Sequence, residues 1–278
     1  MFKSSHARLM SMVVLLLLSS SSLAAAFVGS FHFCSVCHES CLHEKKFRAT
    51  SRLSVEQGND ATGLKLQLLR AAATSNRGFG ASPADREQVA TLVEQLELLS
   101  PAAAPSLGLS GAAPLTTGTA APISVIGCWR LVYTSAIDVL SIDASPFAGV
   151  ASVYQLIEPS KITNVIDLFP RVNALLPPGT LRTSLRLRVA TRPRARSDTR
   201  VGLTFEAVTA EPLAFAGIDL TALPSLGGPL PRVPGSGGAD SDSSPAYFDI
   251  CFLDEDMLII RQNDPGGIFV AARVDGLE

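Results

Sequence analysis

Beyond position 43 the chain has no histidine. All four, His6, His32, His38 and His43, lie near the start of a 278-residue sequence, together with three of its five cysteines, Cys34, Cys37 and Cys41. If that leader is removed, only Cys128 and Cys251 remain. Lack of histidine excludes Ser-His-Asp catalysis and His-ligated metals, and two cysteines exclude a Cys-rich zinc or iron–sulfur site. Charge is scarce too, at 17% of residues with a formal net charge of −2, against 47% hydrophobic. That balance excludes a disordered chain and a nucleic-acid coat. Long apolar runs are also missing. Residues 9–18 form the one apolar core, and the serines at 19–22 end it short of the about 20 residues that a spanning helix needs.

What the leader does have reads as an address. In residues 1–26, Lys3 and Arg8 make a basic start, and Ala24, Ala25 and Ala26 suit a signal peptidase after the apolar core, so a signal peptide is expected. Residues 27–54 are rich in Ser, His and basic side chains, and resemble a plastid transit peptide. The Ala-Ala-Ala-Phe junction at 24–27 is similar to the bipartite presequence of algae with secondary plastids. Residues 1–54 hold six Lys/Arg against two Asp/Glu, leaving 17 against 23 in the remainder. A basic leader on an acidic protein fits organelle import. Cys34, Cys37 and His38 match the c-type haem attachment pattern, but the short polar flanks place them in the discarded segment. No cofactor and no metal are expected.

The remainder, 55–278, opens with helices over about 62–100. Leu64, Leu68 and Leu69 mark the first. Ser82 is an N-cap for the second with Pro83 at its first turn, and Val89, Leu92, Val93, Leu96 and Leu99 form its apolar stripe. Residues 101–124 have no charge and read as a low-complexity linker, and 223–246 as a disordered insertion. Elsewhere the period changes from helix to strand. Alternation puts Leu185, Leu187 and Val189 opposite Arg186 and Arg188, and Val201, Leu203 and Phe205 opposite Gly202, Thr204 and Glu206. Further strands are expected at 127–134, 150–158, 162–168, 247–253, 257–262 and 268–273. About eight antiparallel strands over 125–275 predict a mainly β fold, a closed barrel able to hold one small ligand. A sandwich is the alternative.

Four blocks in order resemble the plastid lipid-associated protein (fibrillin) family over roughly 60–275. Gly127-Cys128-Trp129-Arg130-Leu131-Val132-Tyr133-Thr134-Ser135 is similar to its G-x-W-x-L-x-Y-T signature. Val153-Tyr154-Gln155-Leu156-Ile157 with Asn164-Val165 resembles its second block. Asp254 and Asp256, then Arg261 and Gly267-Ile268-Phe269-Val270, resemble the C-terminal block, and Asn76-Arg77-Gly78 leads into the matching helix. Phe252 stands where the family has Tyr, Leu258 where it has Arg, and Gln262 where it has Gly. The resemblance implies a lipocalin-like barrel behind N-terminal helices, and binding or organising of prenylquinones, carotenoids or fatty acids at plastoglobules or thylakoids.

Two readings stand for Trp129, Leu131 and Tyr133. They line a ligand wall, or Trp129 plugs the barrel base. Leu185, Leu187, Val189, Leu203 and Phe205 are inward in either case. Gly127, Tyr154, Gln155, Asn164, Asp254, Asp256 and Arg261 are expected as structural motif residues. The two aspartates cap a hairpin turn with Arg261 pairing one of them, and an acid–base role is the alternative. Arg182, Arg186, Arg188, Arg192, Arg194, Arg196 and Arg200 form a basic stretch, either a solvated face or a dock for anionic headgroups. Three functions compete: a non-enzymatic lipid-binding protein at a membrane or lipid-body surface, a lipocalin-like enzyme on a lipophilic substrate, and a scaffold for a prenyl-lipid biosynthetic enzyme. Nucleic acid is not an expected partner.

Overall fold

A computed structural model describes residues 57–111, 123–175, 183–229, 246–263 and 266–277. The expected signal peptide, the transit-like segment and the Cys-His motif lie outside them, as does Arg182. Residues from Leu64 onward form one compact unit, and those before it a separate one.

Helix α1, Gln57–Thr74, is followed by α2, Pro83–Leu98. The Ser82 side chain accepts from the Asp85 N–H while the Asp85 carboxylate accepts from the Ser82 N–H, so two donors at the open helix start are satisfied together. Strand β1, Gly127–Thr134, leads into a short helix α3, Ile137–Asp143, which the sequence analysis does not anticipate. Then come β2 (Ala148–Glu158), β3 (Lys161–Pro170), β4 (Ser184–Ala195) and β5 (Arg200–Phe215). Two short strands, β6 (Ile218–Asp219) and β7 (Leu226–Pro229), pair with β5. Finally β8 (Tyr247–Leu253), β9 (Met257–Gln262) and β10 (Gly267–Val274) complete the sheet. The order β4-β3-β2-β1-β10-β9-β8-β5, with β4 also pairing β5, closes eight antiparallel strands into a ring. The barrel matches the expected class, with the ring closed between β5 and β8 by the short ladder at Arg200–Gly202. The alternative sandwich is excluded.

Inside and outside follow from two apolar clusters. One joins Leu68, Val89, Leu92, Val93 and Leu96 of the helices to Tyr133, Ile259 and Val270, and the other gathers Trp129, Ile157, Ile162, Val201, Ile250 and Leu258. Along β9 they alternate: Met257 and Ile259 belong to the first, Leu258 and Ile260 to the second. An eight-stranded barrel is just wide enough for side chains or one small ligand and cannot enclose two helices. The helices therefore cover the outer face, and the second cluster fills the lumen. Leu69, expected beside Leu68, is exposed.

Two expectations need correction. Residues 101–111 are not a free linker. Leu109 is buried in the lumen cluster. Ser106 donates to the Asp198 carbonyl from its N–H and to the Ser197 carbonyl from its hydroxyl, while Ser110 donates to Pro159. A chain poor in bulky side chains is ordered here because its backbone groups find partners on two hairpin loops of the barrel base. Likewise the start of 223–246 holds a strand, since Leu226–Pro229 pairs with Ala207–Ala210 on the free side of the long β5. Residues 230–245 lie outside the described residues.

Candidate functional site

The strands run up and down, so the connections β2–β3, β4–β5 and β8–β9 share one end of the barrel, the base. The connections β1–β2, β3–β4, β5–β8 and β9–β10 share the other, the mouth. The base is sealed. Trp129 is 0% exposed, and its indole N–H donates to the Val125 carbonyl at 2.7 Å. The Arg273 guanidinium lies 4.2 Å from the centre of the Trp129 ring and donates to the carbonyls of Ile126, Ser124 and Glu255. A cation over an indole face is attracted by the ring quadrupole, and here the same cation fastens the entering segment. Gly127 belongs to this arrangement. With φ at +150°, a Cβ there would stand 2.5 Å from an Arg273 nitrogen. Leu258, where the family has Arg, is buried in the same floor.

Toward the mouth the inward side chains are less buried. Register places Leu185, Leu187, Leu203, Phe205 and Phe269 on the inner face with Trp129. All five are only half-buried, whereas Ile157, Ile162, Val201 and Leu253 at the base are buried completely or nearly so. Val189 and Leu131 are also inward and are buried.

Tyr133 does not line the lumen. The register slips between Leu131 and Tyr133, and the extra residue turns Tyr133 outward into the helix cluster, packed beside Val270. Its hydroxyl is buried without a hydrogen-bond partner, and burial raises its pKa. A second bulge, between Ile250 and Phe252, sends Phe252 to the same outer layer, beside Cys251, which is outward by ordinary alternation from Ile250. Burial, with Glu97 adding to it, pushes that thiol up to about 11 and leaves it a packing group.

The motif residues divide by location. Asp254 caps the β8–β9 turn, accepting from the N–H groups of Asp256 and Met257 at 2.9 and 2.7 Å, and it receives Lys65 of α1 at 2.6 Å. Asp256 is largely exposed. Arg261 pairs with neither aspartate. It stands four residues up the strand from the turn's end and reaches Glu97 of α2 at 3.6 Å. Tyr154 is outward and buried, with Arg130 over its ring. Gln155 and Asn164 are inward, opposite Trp129 and Val189 respectively, and are hydrogen-bonded to each other. The sequence offers no signal for the Arg273 clamp, which depends on cross-strand register.

Four of the seven arginines of the basic stretch are paired with carboxylates. Arg186 meets Asp167 through two hydrogen bonds on a nearly buried patch of the outer wall, Arg188 meets Glu211, Arg192 meets Glu206 and Arg200 meets Asp249. Cross-strand pairing of opposite charges is the ordinary stabilisation of a sheet face. These four cations are committed to carboxylates, as the solvated-face reading expects. Among the described residues no group of His, Cys, Asp or Glu side chains is arranged to hold a metal ion.

The turn Asn76-Arg77-Gly78 joins the helices to the barrel. All three residues have positive φ, at 48°, 60° and 95°. Such a conformation is unfavourable for arginine. It sends the Arg77 guanidinium to the carbonyls of Val150 and Ala151, at the bulge in β2 where the ladder is interrupted.

No curated protein matches the chain. The PAP_fibrillin family model does, over residues 62–272, a span that takes in all but the first five residues of α1, the left-handed turn, α2 and all but the end of the last barrel strand. With the match covering well over half the chain and the barrel closed as that resemblance implies, the chain belongs to the PAP/fibrillin family of plastid lipid-associated proteins.

Proposed function

We propose that this plastid protein binds or organises a lipophilic molecule without chemical turnover, holding it in the outer part of the barrel lumen at the surface of plastoglobules or thylakoids. The leader, 1–54, is the route to the organelle. The observation that carries the reading is the contrast inside the barrel: an aromatic and aliphatic floor sealed by Trp129 and Arg273, below an inward wall of half-buried Leu185, Leu187, Leu203 and Phe205. Such a mostly apolar concavity is the usual form of a small-molecule site. Prenylquinones, carotenoids and fatty acids are the candidate ligands. The enzymatic alternative relies on Asp254 or Tyr133, and neither side chain reaches the lumen. Mass spectrometry of lipid copurifying with protein that lacks residues 1–54 tests the reading, with a retained prenylquinone or carotenoid as the expected result. A stable protein partner without lipid favours the scaffold instead, and turnover lost in Asp254→Asn or Tyr133→Phe favours the enzyme.

The mouth supplies the contact with the lipid surface. Among the described residues, the large apolar side chains exposed outside α1 and α2 all fall in mouth connections: Ile137, Phe147, Val172, Ile218, Leu223 and Leu226, from 45% to 63% exposed. No described helix is long and apolar enough to cross a bilayer. The outer wall carries the ion pairs and helices described above, which hydrocarbon does not tolerate. A peripheral orientation, mouth toward lipid, follows. Removing two of these contacts in Phe147→Asp with Ile218→Asp is expected to weaken binding to galactolipid vesicles about a hundredfold, since each apolar side chain buried contributes about 1.5–3 kcal/mol. Unchanged vesicle binding counts against this orientation.

A further inference from the structure

We infer that Gln155 and Asn164 form a polar recognition point in the lumen, which reads the end of a bound lipid. The inference rests on the lumen reading above and narrows its ligand class. Both residues are inward: Gln155 faces Trp129 across β1–β2, and Asn164 faces Val189 across β3–β4. Their neighbours on that wall are apolar and buried, among them Trp129, Val153, Ile157, Ile166 and Val189. The two amides themselves are only half-buried.

The Gln155 amide nitrogen donates to the Asn164 oxygen at 3.1 Å, and this is the only hydrogen bond that either side chain makes. The Gln155 Oε1 and the Asn164 Nδ2 are left over, and the Gln155 Nε2 keeps a second N–H. Neither Oε1 nor Nδ2 is among the sealed, unpartnered atoms, so both keep accessible surface on the inward side of the wall. Turning both amides over exchanges their roles and still presents one acceptor and one amide nitrogen. An apolar wall that retains two amides needs partners for them, because burial of an unpaired polar group is unfavourable.

The chemistry of the partner follows. The pair is uncharged, and the inward cation nearest in register, Arg273, is committed to three carbonyls at the base. A carboxylate would be buried here without a counter-charge, and a plain hydrocarbon would leave both amides unpaired. A long apolar molecule with an uncharged hydrogen-bonding end, such as a quinone, a phenol or an alcohol, satisfies both conditions.

The test uses the full chain with two probes, a long-chain prenyl benzoquinone and β-carotene, with affinity read from quenching of Trp129, the only tryptophan. Replacing both amides, Gln155→Leu with Asn164→Leu, is expected to weaken the quinone at least about tenfold while β-carotene binds as well or better. Retained carotene binding reports an intact lumen. Infrared spectroscopy of the unaltered chain gives a reading that needs no variant: the bound quinone's carbonyl band moves to lower frequency than in hydrocarbon solvent. Equal quinone affinity in the double variant, or an unshifted carbonyl band, overturns the inference and leaves the lumen reading standing. If the unaltered chain binds neither probe, both fall.

Discussion

Gly78→Ala is expected to destabilise the protein by about 3–4 kcal/mol, from a single added methyl group. Two costs combine. Residue 78 sits at φ +95°, where an L side chain is strained by about 1–2 kcal/mol. The new Cβ would also lie 1.9 Å from the Thr134 carbonyl oxygen and 3.3 Å from the Tyr133 ring. Overpacking of that kind adds typically about 1–3 kcal/mol. The clash is with backbone at the end of β1, so no side-chain rotation relieves it. Relief requires the left-handed turn to retreat from the barrel, and with it the Arg77 bonds to the β2 bulge. Urea unfolding with an unchanged slope measures the loss as a lowered midpoint. A change below about 1 kcal/mol would mean that the turn does not press on β1 as described.

Trp129→Ala is expected to cost about 3–5 kcal/mol, the range for truncating a buried aromatic in a packed core. The indole is fully buried, fastens the Val125 carbonyl and carries the Arg273 guanidinium on its face. Its loss leaves that cation without its platform and the floor of the lumen with a void. Trp129→Phe separates the contributions, since it keeps a ring under Arg273 and removes only the N–H bond to Val125, for an expected loss of about 1–2 kcal/mol. If Trp129→Ala unfolds at nearly the original urea midpoint but loses its lipid, the residue is a ligand wall and not a plug.

The barrel was legible in the sequence because hydrophobic alternation and turn residues act locally. The expected bounds of β1, β8 and β9 agree with the structure, and the Ser82-Pro83 start of α2 can be read directly from the chemistry of a helix N-terminus. What failed depended on events to which a period-two count is blind. One extra residue in β1 moves Tyr133 from the lumen to the helix layer, and another in β8 does the same for Phe252. The reach of β5 to Phe215 was hidden because its far half pairs with β7 on one side, so its side chains are half-buried on both faces. Residues 101–111 looked like a linker because their order comes from backbone hydrogen bonds, to which composition gives no clue. Of the lumen, the aliphatic wall could be anticipated by alternation. The amide pair was visible only as two members of a motif, since sharing a face across β2 and β3 is a matter of register.

A barrel stoppered at one end is a cup and not a pipe. With the Trp129–Arg273 floor in place, nothing can pass through the ring, so a molecule that enters at the mouth must leave by the same opening. Exchange is then one for one: a second molecule waits until the first departs. If the lumen holds a lipid and the rim meets a lipid surface as proposed, the cargo returns to whatever surface the rim is touching, and the direction of net transfer is set by which surface is richer in it, never by the protein itself.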